Sequence, residues 1–194
     1  YGYLHSFHLP EAPQRCAAFA FSGIAYKGLH IHDFTHEELM FAQQHLTILS
    51  GLYGMLRPLD VIKPHRLDVG TRLSMTRENI PKKRNLSTTF PHSNYLYGFW
   101  QESINNYLSQ RLEEDDNTIV NLSSQEYYKL IVPQLLPKNL KVIDIYFKEQ
   151  KAEGLKQVVV HTKKARGTIA RFIIKNKITD IEDIKSFEEE GYFY

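Results

Sequence analysis

The chain has 194 residues, 42% of them hydrophobic and 24% charged, with a formal net charge of +2 and a single cysteine. That is enough apolar material for one sizeable core, so a single domain over residues 1–194 is expected. The composition excludes a polycation, an internal disulfide framework and, with no run of about eighteen apolar residues, a membrane-spanning helix.

In chain order, Ala17–Phe21 reads as a short buried strand stopped by Ser22 and Gly23. Asp33–Thr35 supplies helix caps, and Thr35 with Glu38 fits a capping box. The helix that follows carries Leu39, Ala42, Leu46 and Leu49 at three/four spacing. Met55, Leu56, Leu59 and Ile62 then predict a second short helix, with Pro58 near its first turn. Arg66–Leu73 alternates loosely as a strand, and Ser74–Ser93, with two prolines and a Lys82-Lys83-Arg84 run, reads as a surface loop. Tyr95–Leu112 is an amphipathic helix and Thr118–Leu122 a β-branched strand; Ser123-Ser124-Gln125-Glu126 then caps a helix ended by Pro133. Val142–Phe147 and Leu155–His161 are expected to pair as an antiparallel hairpin through Ala152-Glu153-Gly154. Lys163–Asn176 is helical, and Thr179-Asp180-Ile181-Glu182 opens another helix with an acidic first turn. The sum is an α+β fold, a mixed sheet flanked by helices.

Charge is segregated. From Arg57 to Arg84 eight cations face three acids, and from Lys138 to Lys177 eleven face three. The Asp180–Glu190 stretch has six acids against Lys185. Basic regions beside an acidic segment favour a polyanionic partner. In the Lys163–Asn176 helix, Lys164, Thr168, Arg171 and Lys175 share one face and Ala165, Ile169, Phe172 and Ile173 another. Cations so early in a helix oppose its dipole, which points to an anionic partner for Lys163, Lys164 and Arg166, either a ligand or an internal carboxylate.

Leu49-Ser50-Gly51-Leu52-Tyr53-Gly54 brackets a bend with two glycines. A glycine turn feeding a helix N-terminus directs free N–H groups at one point, an anion site. Its hydrophobic-x-Gly-hydrophobic-x-Gly pattern resembles the helix-hairpin-helix element, expected here within about residues 36–62. An ordinary turn between two core helices is the alternative. Asn121-Leu122-Ser123-Ser124-Gln125-Glu126-Tyr127 is a strand-to-helix switch, a position where polar groups often face ligands, or simply a capped helix. His30, His32 and His36 are metal-ligand types, but they fall on a loop before a cap, where i and i+2 do not converge. No metal and no cofactor are expected. Cys16, between Arg15 and Ala17, reads as a small apolar group rather than a nucleophile.

Together these motifs resemble the YaaA family, the peroxide-stress-associated proteins. The matching segments are Phe21–Leu29, Phe41–Asp60, Pro64–Gly70, Leu96–Trp100, Asn121–Lys129, Lys163–Asn176 and Glu190–Phe193. The resemblance implies a cytoplasmic α+β protein with a basic cleft and a helix-hairpin-helix, binding duplex and branched DNA in oxidative stress and repair. It also implies a preceding N-terminal strand region with Ser-Pro-Ala-Lys-Thr that this chain lacks; with Tyr1 rather than Met at its start, the chain is expected to be part of a longer or processed protein. His65 stands where the family commonly has Tyr.

The expected activity is non-enzymatic, largely sequence-independent DNA binding. Ser50, Gly51, Leu52, Tyr53 and Gly54 would offer main-chain N–H groups to a phosphate, and Arg57, Lys63, Arg66, Lys163, Lys164, Arg166 and Arg171 would add charge. The rival is an enzyme acting on a small phosphate- or carboxylate-bearing molecule, with Asn121, Ser123, Ser124, Glu126 and Tyr127 forming the pocket beside Lys163–Arg166. Iron handling through His30, His32 and His36 is a third reading.

Overall fold

Thr35 starts the first long helix as expected: its Oγ1 accepts from the Glu38 N–H, and Glu38 accepts from the Thr35 N–H at 2.7 Å. The computed structural model describes residues 7–72, 96–114 and 116–192. The Ser74–Ser93 loop reading lies outside them. The chain forms two compact units, one of residues 1–48, 56–64 and 145–194, the other of residues 49–55 and 65–144.

In the first unit, β1 (Arg15–Cys16) pairs antiparallel with β4 (Val61–Ile62), Arg15 opposite Ile62. Ala17–Ala20, expected as a strand, is instead a one-turn helix, α1. Three of its four residues are alanine, the strongest helix former, and the amides of Ala17 and Ala18 donate to the carbonyls of Asp60 and Pro58. Next come α2 (Ile24–Leu29) and α3 (His36–His45). The β7 (Glu149–Lys151) and β8 (Gly154–Lys156) hairpin turns at the expected residues. Its strands are displaced from the expected ones, because Val159 already begins α6 (Val159–Lys175). The crossing of α2 and α6 is made by glycines. A Cβ at Gly167 would sit 1.8 Å from the Ala25 carbonyl oxygen, and one at Gly28 2.3 Å from that of Lys164. The acidic segment after α6 forms a 3-10 turn, Ile181–Ser186, capped by Asp180.

In the second unit, α4 (Leu96–Glu113) lays Leu96, Ile104, Leu108 and Leu112 onto a core completed by Val69, Leu130, Ile131 and Leu136. Its neighbour β5 (Thr118–Asn121) pairs parallel with β6 (Lys141–Asp144), residue for residue from Thr118–Lys141 to Asn121–Asp144. The expected hairpin partner of Val142–Phe147 is therefore replaced by a parallel one. α5 (Gln125–Tyr128) is one turn long, its Ser124 cap accepting from the Tyr127 N–H.

The helix expected over 55–62 is absent. Gly54–Leu56 is a strand, β3, paired with β2 (Ile48–Ser50), and Val61–Ile62 is β4, so the glycine pair closes a β-hairpin rather than a helix-hairpin-helix. Pro58 explains the difference: it disfavours helical backbone at Arg57, and Arg57–Asp60 forms a turn in which the Asp60 carboxylate accepts the Arg57 N–H at 2.7 Å. Among the described residues the strands form four two-stranded pairs, not one mixed sheet. The α+β class holds.

Candidate anion-binding site

The glycine bend is largely engaged inside the second unit. Ser50 is 2% exposed; its Oγ accepts the Tyr53 N–H at 3.3 Å and lies 3.3 Å from His65 Nε2. The Gly51 carbonyl accepts from Trp100 Nε1 at 2.9 Å. A Cβ on Gly51 would stand 2.3 Å from the Leu67 carbonyl oxygen, and one on Gly54, whose φ is +76°, 2.5 Å from the Trp100 ring. The glycines thus allow close packing of backbone and indole. Leu52 and Tyr53 are half-buried.

The candidate cations divide. Arg57 donates through Nε to the Gln43 carbonyl at 3.0 Å, and Lys63 to the carbonyls of Phe7 and Leu9 at 2.7 and 3.0 Å. Arg171 forks onto both oxygens of Asp33 at 2.6 Å and stacks its guanidinium over Phe34. Lys175 joins it, bonding the Asp33 carbonyl and the Glu38 carboxylate. The Arg171 fork holds the Asp33 carboxyl far below the ordinary carboxylate range, despite some opposing desolvation. Lys164 pairs with Glu190. The stripe Lys164–Arg171–Lys175 therefore docks α6 onto acids of its own chain.

Lys163, Arg166 and Arg66 stand apart. Lys163 and Arg66 are exposed, Arg166 is half-buried, and none has a hydrogen-bond or ion-pair partner among the described residues. Burial pulls the Arg166 pKa down from the usual guanidinium value, with no carboxylate opposing it. Lys163 is the fifth and Arg166 the eighth of the 17 residues of α6, both past its first turn. The helix thus starts four residues before the expected Lys163, so these cations are clear of the first turn and the dipole argument for an anionic partner does not apply to them.

The alternative pocket residues mostly satisfy one another. Asn121 donates to Asp144 at 2.7 Å across the parallel pair and accepts from the Ser123 amide and hydroxyl at 3.1 and 2.8 Å. Burial, then the nearby Asp68 charge, raises the Tyr127 hydroxyl pKa. Glu126 is exposed, and its Oε1 lies 2.5 Å from where a Gly70 Cβ would sit.

His30 has left-handed backbone at φ 47° with Nδ1 3.4 Å from Asp33, while the His32 ring meets Phe19 edge-on. His36 lines an open cleft of about 340 Å³ with Glu37, Met40, Phe41, Gln44 and Lys177. Among the described residues, no three His, Cys, Asp or Glu side chains gather as a metal site. No described helix is long and apolar enough to cross a membrane. Cys16 is free and half-buried.

One further cluster has no signature in the sequence. His161 on α6 bonds Glu149 on β7 through Nδ1, and Tyr192 donates to the same carboxylate oxygen at 3.2 Å. Nothing in local spacing links residues 149, 161 and 192.

The family model for peroxide stress protein YaaA matches residues 1–194. A UPF0246 protein of Saccharophagus degradans is 41% identical over 185 residues, 95% of this chain and 66% of that protein. One of Legionella pneumophila is 42% identical over 179 residues, 92% of this chain and 63% of its own length. One of Aliivibrio fischeri is 40% identical over 181 residues, 93% of this chain and 63% of its own. The chain thus spans a little under two thirds of the relatives it matches, at 63–66% of their length. It belongs to the peroxide stress protein YaaA family.

Proposed function

We propose that this chain is a largely sequence-independent binder of duplex or branched DNA, acting in the cytoplasm in the peroxide-stress response and DNA repair. The observation that carries the reading is the division of charge on α6. Lys164, Arg171 and Lys175 are neutralised by carboxylates of the same unit, whereas Lys163 and Arg166 are not. Two uncompensated cations on one helix attract phosphate by charge alone, with no base-reading geometry required. The family's link to peroxide stress supports the setting. The basis differs from the one expected: charge on α6 carries it, and the buried glycine bend contributes packing.

Fluorescence anisotropy with a labelled duplex and a four-way junction, both of arbitrary sequence, tests this at low salt. Binding to both, little altered when the sequence is scrambled, is the expected result. No binding to either at low salt contradicts it.

A further inference from the structure

We propose that Met40 is a peroxide-reactive site whose oxidation turns the cleft on α3 from an apolar surface into a polar one. The inference takes its oxidant, hydrogen peroxide, from the peroxide-stress setting of the proposed function.

The chain has three methionines. Met55 is half-buried and packs against the core of the second unit. Met75 lies outside the described residues. Met40 differs from Met55 in being 40% exposed, on α3. His36, Met40 and Gln44 fall at i, i+4 and i+8, and Glu37 and Phe41 form the neighbouring row, so α3 itself supplies most of the lining of the open cleft. Lys177 completes it, tied to Glu37 at 2.6 Å. The thioether therefore lines a space that a small solute enters from the solvent.

In the reaction, a sulfur lone pair attacks one peroxide oxygen. The S–O bond forms as the O–O bond breaks, and the departing hydroxide takes the proton of the transferred oxygen and leaves as water. Sulfur loses two electrons and the peroxide gains them. The product replaces a flexible apolar group with a polar, chiral sulfoxide. Its oxygen accepts hydrogen bonds, and the Lys177 ammonium on the same cleft has three N–H donors, one of them on Glu37. At 40% exposure most of the Met40 surface lies against the protein, so the new oxygen is partly desolvated and costs stability. Methionine sulfoxide reductases reverse the step, which makes it a switch.

The test exposes the folded protein to dilute hydrogen peroxide, quenches with catalase and quantifies each methionine peptide by mass after digestion. Met40 should gain one oxygen several-fold faster than Met55, and the two rates should converge in urea, where the fold no longer shields Met55. Equal rates in the folded protein, or a slower Met40, overturn the site. The melting temperature of wild type should fall as Met40 is oxidised and recover on treatment with a methionine sulfoxide reductase. Met40→Leu, close in volume and without sulfur, should keep its melting temperature through the same exposure. An equal fall in Met40→Leu, or none in wild type with Met40 fully oxidised, overturns the change in the cleft. The mass measurement needs no nucleic acid, so duplex binding of untreated protein reports on the DNA reading separately.

Discussion

Asn105→Ala should strongly destabilise the core of the second unit. Asn105 is wholly buried on α4. Its Nδ2 donates to the carbonyls of Gln101 at 2.6 Å and Leu130 at 2.8 Å, and its Oδ1 accepts the Val132 N–H at 2.8 Å. Gln101 lies within the same helix and keeps its own place in the helical ladder. The truncation therefore strips two main-chain groups, the Leu130 carbonyl and the Val132 amide, in a segment where Leu130 is 0% exposed. At about 1–3 kcal/mol for each unsatisfied group, the expected loss is about 4 kcal/mol. With a urea slope of about 2 kcal/mol per molar, the midpoint falls by about 2 M. Trp100, the one tryptophan, packs against this core and reports its unfolding by fluorescence. Asn105→Leu fills the volume but restores neither bond, so it should be nearly as damaging. A loss under about 1 kcal/mol in Asn105→Ala, or full recovery in Asn105→Leu, would refute the hydrogen-bond account.

Gly54→Ala sets a Cβ against the Trp100 ring at a φ of +76°, so it should lower the melting temperature and red-shift Trp100 emission; an unchanged melting curve and spectrum contradict this. Asp33→Asn removes the acceptor of Arg171. Because the folded carboxyl titrates well below its unfolded value, the stabilisation is complete above the ordinary pKa, about 3.9, and is lost as pH falls below it. The melting-temperature gap between wild type and Asp33→Asn should therefore be constant near neutrality and narrow below about pH 4. A gap that persists unchanged into acid counts against the ion-pair account. Thr35→Ala breaks the capping box of α3 and should cost about 1 kcal/mol, with faster amide exchange at Glu38; unaltered exchange there would contradict it.

Structure was legible in the sequence where its cause is local. The Thr35–Glu38 box, the apolar face of α4, the Ser124 cap and the Ala152-Glu153-Gly154 turn all depend on neighbours within one helical turn or hairpin. The departures have non-local causes. β6 takes β5 as a parallel partner across an intervening segment, which no alternation pattern in Val142–Phe147 encodes. The Gly51–Gly54 spacing specified a tight bend correctly, but a bend joins strands as readily as helices, and Pro58 together with the packing of Trp100 settled which. Charge was least legible. Arg171 and Asp33 are 138 residues apart in sequence, so the cationic stripe of α6 could not be divided into paired and unpaired members without coordinates.

The most direct test is a salt titration of duplex binding, comparing wild type with the Lys163→Gln, Arg166→Gln double variant. Each phosphate contact contributes about 0.9 to the slope of log affinity against log salt, so losing two should make it shallower by about 1.8. Identical slopes for the two proteins would mean that α6 does not meet the phosphates, and the account would fail.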